Sequence, residues 1–476
     1  MAIIHMLEAL CDRLKQMHQS KQVIRGLNEG FPCMRKERQT VLHLRRLPYI
    51  IAEEGSRKEN RQMKDQLILR QLAGEYAELA MSDFNLAVPN RYRDLNSLRG
   101  DVRPPVLVFE EPWGEFEHEE LKLRCTDEHN RQLENRLRQD LFKVKHHRGD
   151  YAIKPYAEAQ VALNDTGYGF RVHDHRTIES LTGSSISAHS YTDQLPDESA
   201  LEQFRMPEIT IDEQQTAANV EQASQVFDGL LRVRKAGVTL YMASWDVIPR
   251  LHGVQNCMFD LYDRPEFMHA VIDMFTRIHE CELDQYEALN VLETDPYYTH
   301  CTPACTWDLP VKDIDKDSIT AKDVWCRSMA QVFSMVSPET HDEFDLQNTK
   351  RLFDRCGLSY YGCCEPLHNK IPELKKRFGN LRRISITPWA DPDIAADQIG
   401  RDYVLSYKCN PAYVASGTLD LEPARTEVER VIEACNRNHT ACEFILKDIS
   451  TVSGRADVLT EWVNMVNDVI DRKWKP

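Results

Sequence analysis

The chain has 476 residues, 42% of them hydrophobic and 28% charged, with a net charge of −16. That composition supplies a globular core and excludes disorder over most of the length. The acidic balance argues against nucleic acid or an anionic membrane as the main partner, since both need a basic footprint.

No apolar run approaches the roughly 18 residues needed to cross a bilayer. The N-terminus, MAIIHMLEALCDRLKQ, lacks the pattern of a secretory signal. The fourteen cysteines therefore read as reduced thiols of a cytoplasmic protein.

The first hundred residues are helical in pattern, with Leu42, Leu44 and Leu47, then Leu67, Leu69, Leu72, Tyr76 and Leu79 at apolar positions. They predict a helical extension over residues 1–102 that packs as a cap or arm. From Arg103 onward, short apolar runs alternate with helical stretches, the pattern of parallel strands joined by crossover helices. Strands are predicted near Val106, Ile153, Leu240, Val291, Tyr360, Ile384, Leu405 and Ile445. An irregular excursion at about 165–213, rich in Ser, Thr, His and Asp, interrupts them.

Helix starts are predicted at Asp263-Arg264-Pro265-Glu266, at Ser337-Pro338 (closing at Gly357) and at Asp391-Pro392 (closing at Gly400). Two more run from Glu422 to about Asn438 and from about Arg455 to the end. Eight strands with interposed helices predict an α/β fold, a (β/α)8 TIM barrel over residues 103–476, in preference to an open doubly wound sheet. Neither GxGxxG after the first strand nor GxxxxGK[ST] occurs, which disfavours dinucleotide and P-loop chemistry.

In such a barrel the active site forms where strands run into the following loops. Those positions hold Trp113 after the first strand, Trp245 after the third, His300 and Cys301, then Cys363, Cys364 and Glu365, Trp389 and Asp391, Tyr407, Lys408 and Cys409, and finally Lys447 and Asp448. The sharpest feature is Tyr361-Gly362-Cys363-Cys364-Glu365-Pro366, where two thiols and a carboxylate offer soft and hard donors to one zinc ion. Adjacent side chains of a strand point oppositely, so both thiols can act together only if the strand has already given way to loop.

The alternative is a pair of small buried hydrophobes. Cys409 and Asp448 are further candidate ligands, and His300 and Cys301 lack the partner spacing of a zinc motif. Trp113, Trp245, His300, Trp389, Asp391, Tyr407 and Lys447 are candidate substrate contacts. Asp391 reads equally as a helix cap, and Lys447-Asp448 as a rim ion pair. The remaining cysteines read as core thiols.

From about Ser244 to the C-terminus the chain resembles the uroporphyrinogen decarboxylase superfamily, which includes cobalamin-independent methionine synthase and the corrinoid-dependent methyltransferases of anaerobes. The resemblance rests on Asp260-Leu261-Tyr262-Asp263-Arg264-Pro265-Glu266, on QVFSMVSP from Gln331 to Pro338, on Tyr361-Gly362-Cys363-Cys364 and on Cys409-Asn410-Pro411. Tyr361 stands where the methyltransferases carry a metal-binding His, Cys363 matches their first Cys, and their second metal Cys falls near Asp448. The arginine-rich substrate motif of true uroporphyrinogen decarboxylases is not visible in Arg103 to Glu115.

The resemblance implies a methyltransferase moving a methyl group between a small methylated substrate and a separate corrinoid protein, in a homodimer of anaerobic metabolism. Zinc would be held through Cys363, Cys364 and Cys409, with Glu365, Asp448 and Tyr361 as catalytic groups. A decarboxylase of the porphyrinogen type and a non-catalytic barrel that binds a ligand or partner are the alternatives.

Overall fold

The computed structural model describes residues 61–99, 101–176, 189–311, 318–416 and 420–475. The chain forms two compact units, residues 1–64 and 65–476, and the sheet with its helices belongs to the second. The expectations for Leu42, Leu44 and Leu47 lie outside the described residues. Residues 65–80 are helical, and Leu69, Leu72 and Tyr76 bury the expected apolar stripe against Leu133, Leu137 and Leu141.

Seven strands make one parallel sheet: β1 (Val106–Val108), β2 (Leu240–Tyr241), β3 (Trp325–Ser328), β4 (Leu358–Tyr361), β5 (Leu381–Ile386), β6 (Val404–Cys409) and β7 (Cys442–Leu446). Their spatial order is β1-β7-β6-β5-β4-β3-β2. The first strand lies beside the last and the others follow consecutively, so the chain winds in one sense throughout. Among the described residues no pairing joins β1 to β2.

Six of the eight expected strands belong to this sheet. The stretch at Ile153 does not, because its amides are taken by side chains: Ile153 N donates to Asn85 Oδ1 at 2.9 Å and Ala152 N to the Tyr298 hydroxyl at 2.6 Å. The stretch at Val291 contributes a single parallel bridge, Leu292 to Val238. Strand β3 was not expected, since Trp-Cys-Arg-Ser offers no apolar run, yet all four residues are buried.

The two faces of the sheet differ in chemistry. Val106, Val108, Cys326, Ile384, Ile386, Leu405, Tyr407, Cys409, Phe444 and Leu446 join the main apolar core with Val428, Val431 and Ile432 of helix Glu422–Asn438 and Leu459, Trp462 and Val463 of helix Asp457–Lys473. The alternate positions, Arg327, Tyr360, Arg383, Ser385, Ser406, Lys408, Glu443 and Lys447, are polar and still buried. Burying such groups is costly unless they are paired or hydrogen-bonded, so this face is built for interaction as well as stability.

Asp391 caps helix Pro392–Ile399 as expected, accepting from Asp393 N and Ile394 N. Helix Pro265–Ala288 differs: Asp263 ends the preceding helix Val254–Asp263, and Arg264 stands at the N-cap position. Around the 165–213 excursion, Leu163–Asp165 pairs antiparallel with Ile209–Ile211 and Asp174–Arg176 with His189–Tyr191. Tyr168 and Phe204 seat this segment on Phe275 of the long helix. No helix among the described residues is long and apolar enough to cross a membrane.

Glu427 accepts from the Tyr407 hydroxyl at 3.2 Å and from Asn410 N at 3.3 Å. Burial pushes its carboxyl from 4.5 up to about 7. The folded state therefore binds this proton more tightly than the unfolded chain, and stability falls as pH rises between those values. Glu427→Gln is expected to flatten that decline and to raise stability at pH 8 by about 2 kcal/mol, after discount for the group's partial exposure. Urea titrations at pH 5 and pH 8 measure it.

Candidate functional site: a thiol and ammonium cluster at the strand ends

Gly362 ends β4 with φ +99°, and a Cβ there would stand 2.5 Å from Leu367 Cδ1 and 3.1 Å from Ser385 Cβ. The strand thus breaks one residue before the cysteines, and both thiols turn into one group with Sγ atoms 3.6 Å apart. Gly362→Ala combines left-handed strain with overpacking and is expected to cost roughly 2–4 kcal/mol, read as a lower urea midpoint at unchanged slope.

Glu365 holds the loop from beneath, accepting from Cys363 N at 3.0 Å and Ala330 N at 3.1 Å. From the end of β7, Lys447 Nζ reaches Cys363 Sγ at 3.2 Å, Cys364 Sγ at 3.6 Å and Asp448 Oδ2 at 2.7 Å. The Cys364 thiol donates to Asp448 Oδ2 at 3.2 Å. Asp448 N in turn donates to Glu110 Oε2 at 3.1 Å, bringing in the loop that follows β1.

Cys301 completes the group from a tight antiparallel turn, in which Thr299 pairs with Thr302 and His300 and Cys301 form the tip. Its sulfur shares a hydrogen bond with Cys363. Glu110, His300 and Asp448 all have left-handed backbone, φ 58°, 54° and 55°. Each such residue costs roughly 1–2 kcal/mol, and strain of this kind persists where the surrounding structure dictates a side-chain direction.

The electrostatics follow from this arrangement. The hydrogen bond from Cys363, with Lys408, His300 and Lys447 nearby, holds the Cys301 thiol well below the usual range in spite of burial. Sharing with Cys301 and Cys364 pushes Cys363 up. Burial alone lowers Lys447, but the three thiols and Asp448 around it carry its ammonium above its ordinary value. Desolvation raises Glu110 against the pull of Lys447, and the side-chain contact with the Asp448 carboxylate adds to the rise. Desolvation also works to raise Asp448, yet the Lys447 charge together with hydrogen bonds from Glu110, Lys447 and Cys364 outweighs it and holds that carboxylate down. At the rim a raised Glu110 and a lowered Asp448 thus stand beside an ammonium in contact with two sulfurs.

Below the rim, Glu443 takes Arg383 as an ion pair and accepts from Ser406 Oγ at 2.5 Å and Thr302 Oγ1 at 3.1 Å. Arg383 Nη1 also donates to Asn96 Oδ1 at 2.6 Å. Lys408 Nζ donates to Ser406 Oγ at 2.6 Å.

Of the residues singled out from sequence, Cys363, Cys364, Lys447 and Asp448 come together here, with His300 stacked on Tyr241 at 6.1 Å beside them. The others lie elsewhere. Tyr361 points to the helix side, its hydroxyl between His341 Nε2 at 2.6 Å and Asp345 Oδ2 at 2.5 Å. Tyr407 and Cys409 share that apolar side, so Cys409 stands apart from the other two metal candidates. Trp245 is a core residue donating to Phe344 O, and Trp113 packs on Phe116 and Phe142. Trp389 is exposed, and Asp391 is occupied by its cap and by Arg430. Glu365 has both oxygens engaged by backbone amides.

Arg327 is not among the residues the sequence singles out; Lys408 and Glu110 stand at predicted strand ends with no assigned role, and Cys301 enters only as a zinc candidate that lacks partner spacing. The signal for Lys408 was its spacing from Ser406 in a strand otherwise apolar at alternate positions.

Among the described residues, the group of three ligand-type side chains whose donor atoms all lie within 4.8 Å of one another is His118, Glu120 and His146, partly exposed and with Lys145 also on Glu120. At the strand ends Cys363, Cys364 and Asp448 do not meet that spacing as a trio, and the Lys447 ammonium stands among them, but the two sulfurs are themselves at zinc spacing. Zn–S bonds of about 2.3 Å place two tetrahedral sulfurs roughly 3.8 Å apart, close to the observed 3.6 Å, and Asp448 lies beside one of them.

No protein-family model matches the chain. No curated protein matches it either. Among solved structures, a methyltransferase from Methanosarcina mazei is similar over 61% of this chain and 74% of its own, with 10% sequence identity and a TM-score of 0.33.

Proposed function

We propose that this chain is a methyltransferase of the corrinoid-dependent type, working at the strand ends of a sheet closed into a barrel. The observation that supports this reading is the meeting of three thiols with Lys447, Asp448 and Glu110 where parallel strands run into their loops, the usual place for α/β chemistry. Cys363, Cys364 and Asp448 would hold zinc, which when bound supplies Lewis acidity toward the heteroatom that carries the methyl group.

The chain's own residues do the rest. Lys447 balances the negative charge that thiols and Asp448 develop, and Glu110 at the rim is the group that would pass a proton to a heteroatom losing its methyl group. The methyl acceptor is a corrinoid carried by a separate protein. The test is incubation of purified protein with cob(I)alamin and a panel of methylated amines, ethers and thioethers, following methylcobalamin absorbance, with elemental analysis of the same sample. Methylcobalamin formation together with one zinc per chain supports the reading; metal-free protein that transfers no methyl group sinks it.

Buried cations favour a second reading, decarboxylation of an acid held by them. Arg383 is neutralised by Glu443 and Lys447 by Asp448, which leaves too little free positive charge for a substrate with many carboxylates. Release of carbon dioxide from the same panel without methylcobalamin would establish it.

A further inference from the structure

Arg327 is fully buried on the polar face of β3, and no carboxylate among the described residues pairs with it. Its Nη2 meets only Met329 Sδ at 3.6 Å, while Nε and Nη1 have no partner. Buried guanidinium groups are ordinarily paired, because an uncompensated one forfeits its hydration without return. The guanidinium lies over the rings of Tyr241 and Tyr360 at 5.1 and 5.5 Å. Lys408 Nζ lies over the Tyr360 ring at 5.5 Å, and its one hydrogen bond is to the neutral Ser406 hydroxyl. Met329, which the Arg327 guanidinium touches, packs with Cys363 and Cys364, so this cation stands next to the thiol group.

We infer that Arg327 and Lys408, walled by Tyr241 and Tyr360, receive a carboxylate of the substrate, so that the methylated compound taken by this site is a small monocarboxylate. The inference rests on the reading of the thiol-lined mouth as a substrate site. A guanidinium with two free N–H groups suits a planar two-oxygen anion, with the ammonium as a second point charge. Bound there, the acid places its methyl-bearing heteroatom toward the sulfurs.

The experiment is calorimetry at constant ionic strength with methylthioacetate, methoxyacetate and N,N-dimethylglycine, each against its uncharged amide, and with acetate as the smallest probe. The wild-type protein is expected to bind at least one acid ten or more times tighter than its amide. Arg327→Gln should weaken that binding at least tenfold, Arg327→Lys should recover part of it, and Lys408→Met should weaken it less. Equal binding of acids and amides, unchanged binding by Arg327→Gln, or no binding of any acid including acetate overturns the inference. If Arg327→Gln does not fold, the acid-to-amide ratio and Lys408→Met decide. Acid binding without methyl transfer keeps this inference and removes the methyltransferase reading; methyl transfer from neutral compounds alone does the reverse.

Discussion

Glu443→Ala is expected to lower stability by about 3–5 kcal/mol, the usual cost of removing one partner from a fully buried ion pair. Both members are essentially without solvent exposure. The loss leaves the Arg383 guanidinium without a counter-ion and takes the acceptor from Ser406 and Thr302 at once. Since a folded domain has a margin of only about 5–15 kcal/mol, the variant should show a much lower urea midpoint at 25 °C with little change in slope. Replacing Arg383 and Glu443 together by Met should recover most of the loss, because the penalty lies in the stranded charge. A double-mutant cycle measures this coupling directly. Two equally destabilising single variants whose effects simply add would show that the pair is not the source of the cost.

The same buried polar face marks the limit of what patterning reveals. Strands β5, β6 and β7 were legible as short apolar runs at Ile384 and Ile386, Val404 and Leu405, and Phe444 to Leu446, which the neighbouring Arg383, Ser406 and Glu443 did not disguise. Strand β3 was hidden because its single apolar-face cysteine sits between Trp325 and Arg327, too short a signal to read. Ile153 misled in the opposite sense, an apolar residue whose amide is captured by Asn85, 68 positions away.

At the site, the break after Gly362 was readable in Gly-Cys-Cys-Glu, whereas the arrival of Cys301 depends on a hairpin tip meeting β4 in space. Side-chain direction was the other loss. The two-residue period that sends Lys408 to the polar face necessarily sends Tyr407 and Cys409 to the helices, so proximity to a strand end was by itself a poor guide to which residues meet.

Cys363→Ser together with Cys364→Ser is expected to reduce kcat/KM for methyl transfer to cob(I)alamin at least 10³-fold, about 4 kcal/mol of transition-state stabilisation. Serine nearly preserves the volume, so an unchanged far-ultraviolet spectrum and melting midpoint will separate loss of chemistry from loss of fold. The single variants should not be equivalent. Cys363 is buried, hydrogen-bonds Cys301 and accepts from Lys447, while Cys364 is partly exposed and donates to Asp448. If the pair holds zinc, each single change should empty the site and cost nearly as much as both, since a two-donor remnant binds metal poorly. If Lys447 is instead the resident counter-charge of a metal-free thiol group, Cys364→Ser should keep most of the activity and Cys363→Ser, which severs the contact with Cys301, should lose it. Zinc content measured on the same three preparations distinguishes the two, and full activity of the double variant would remove sulfur from the mechanism altogether.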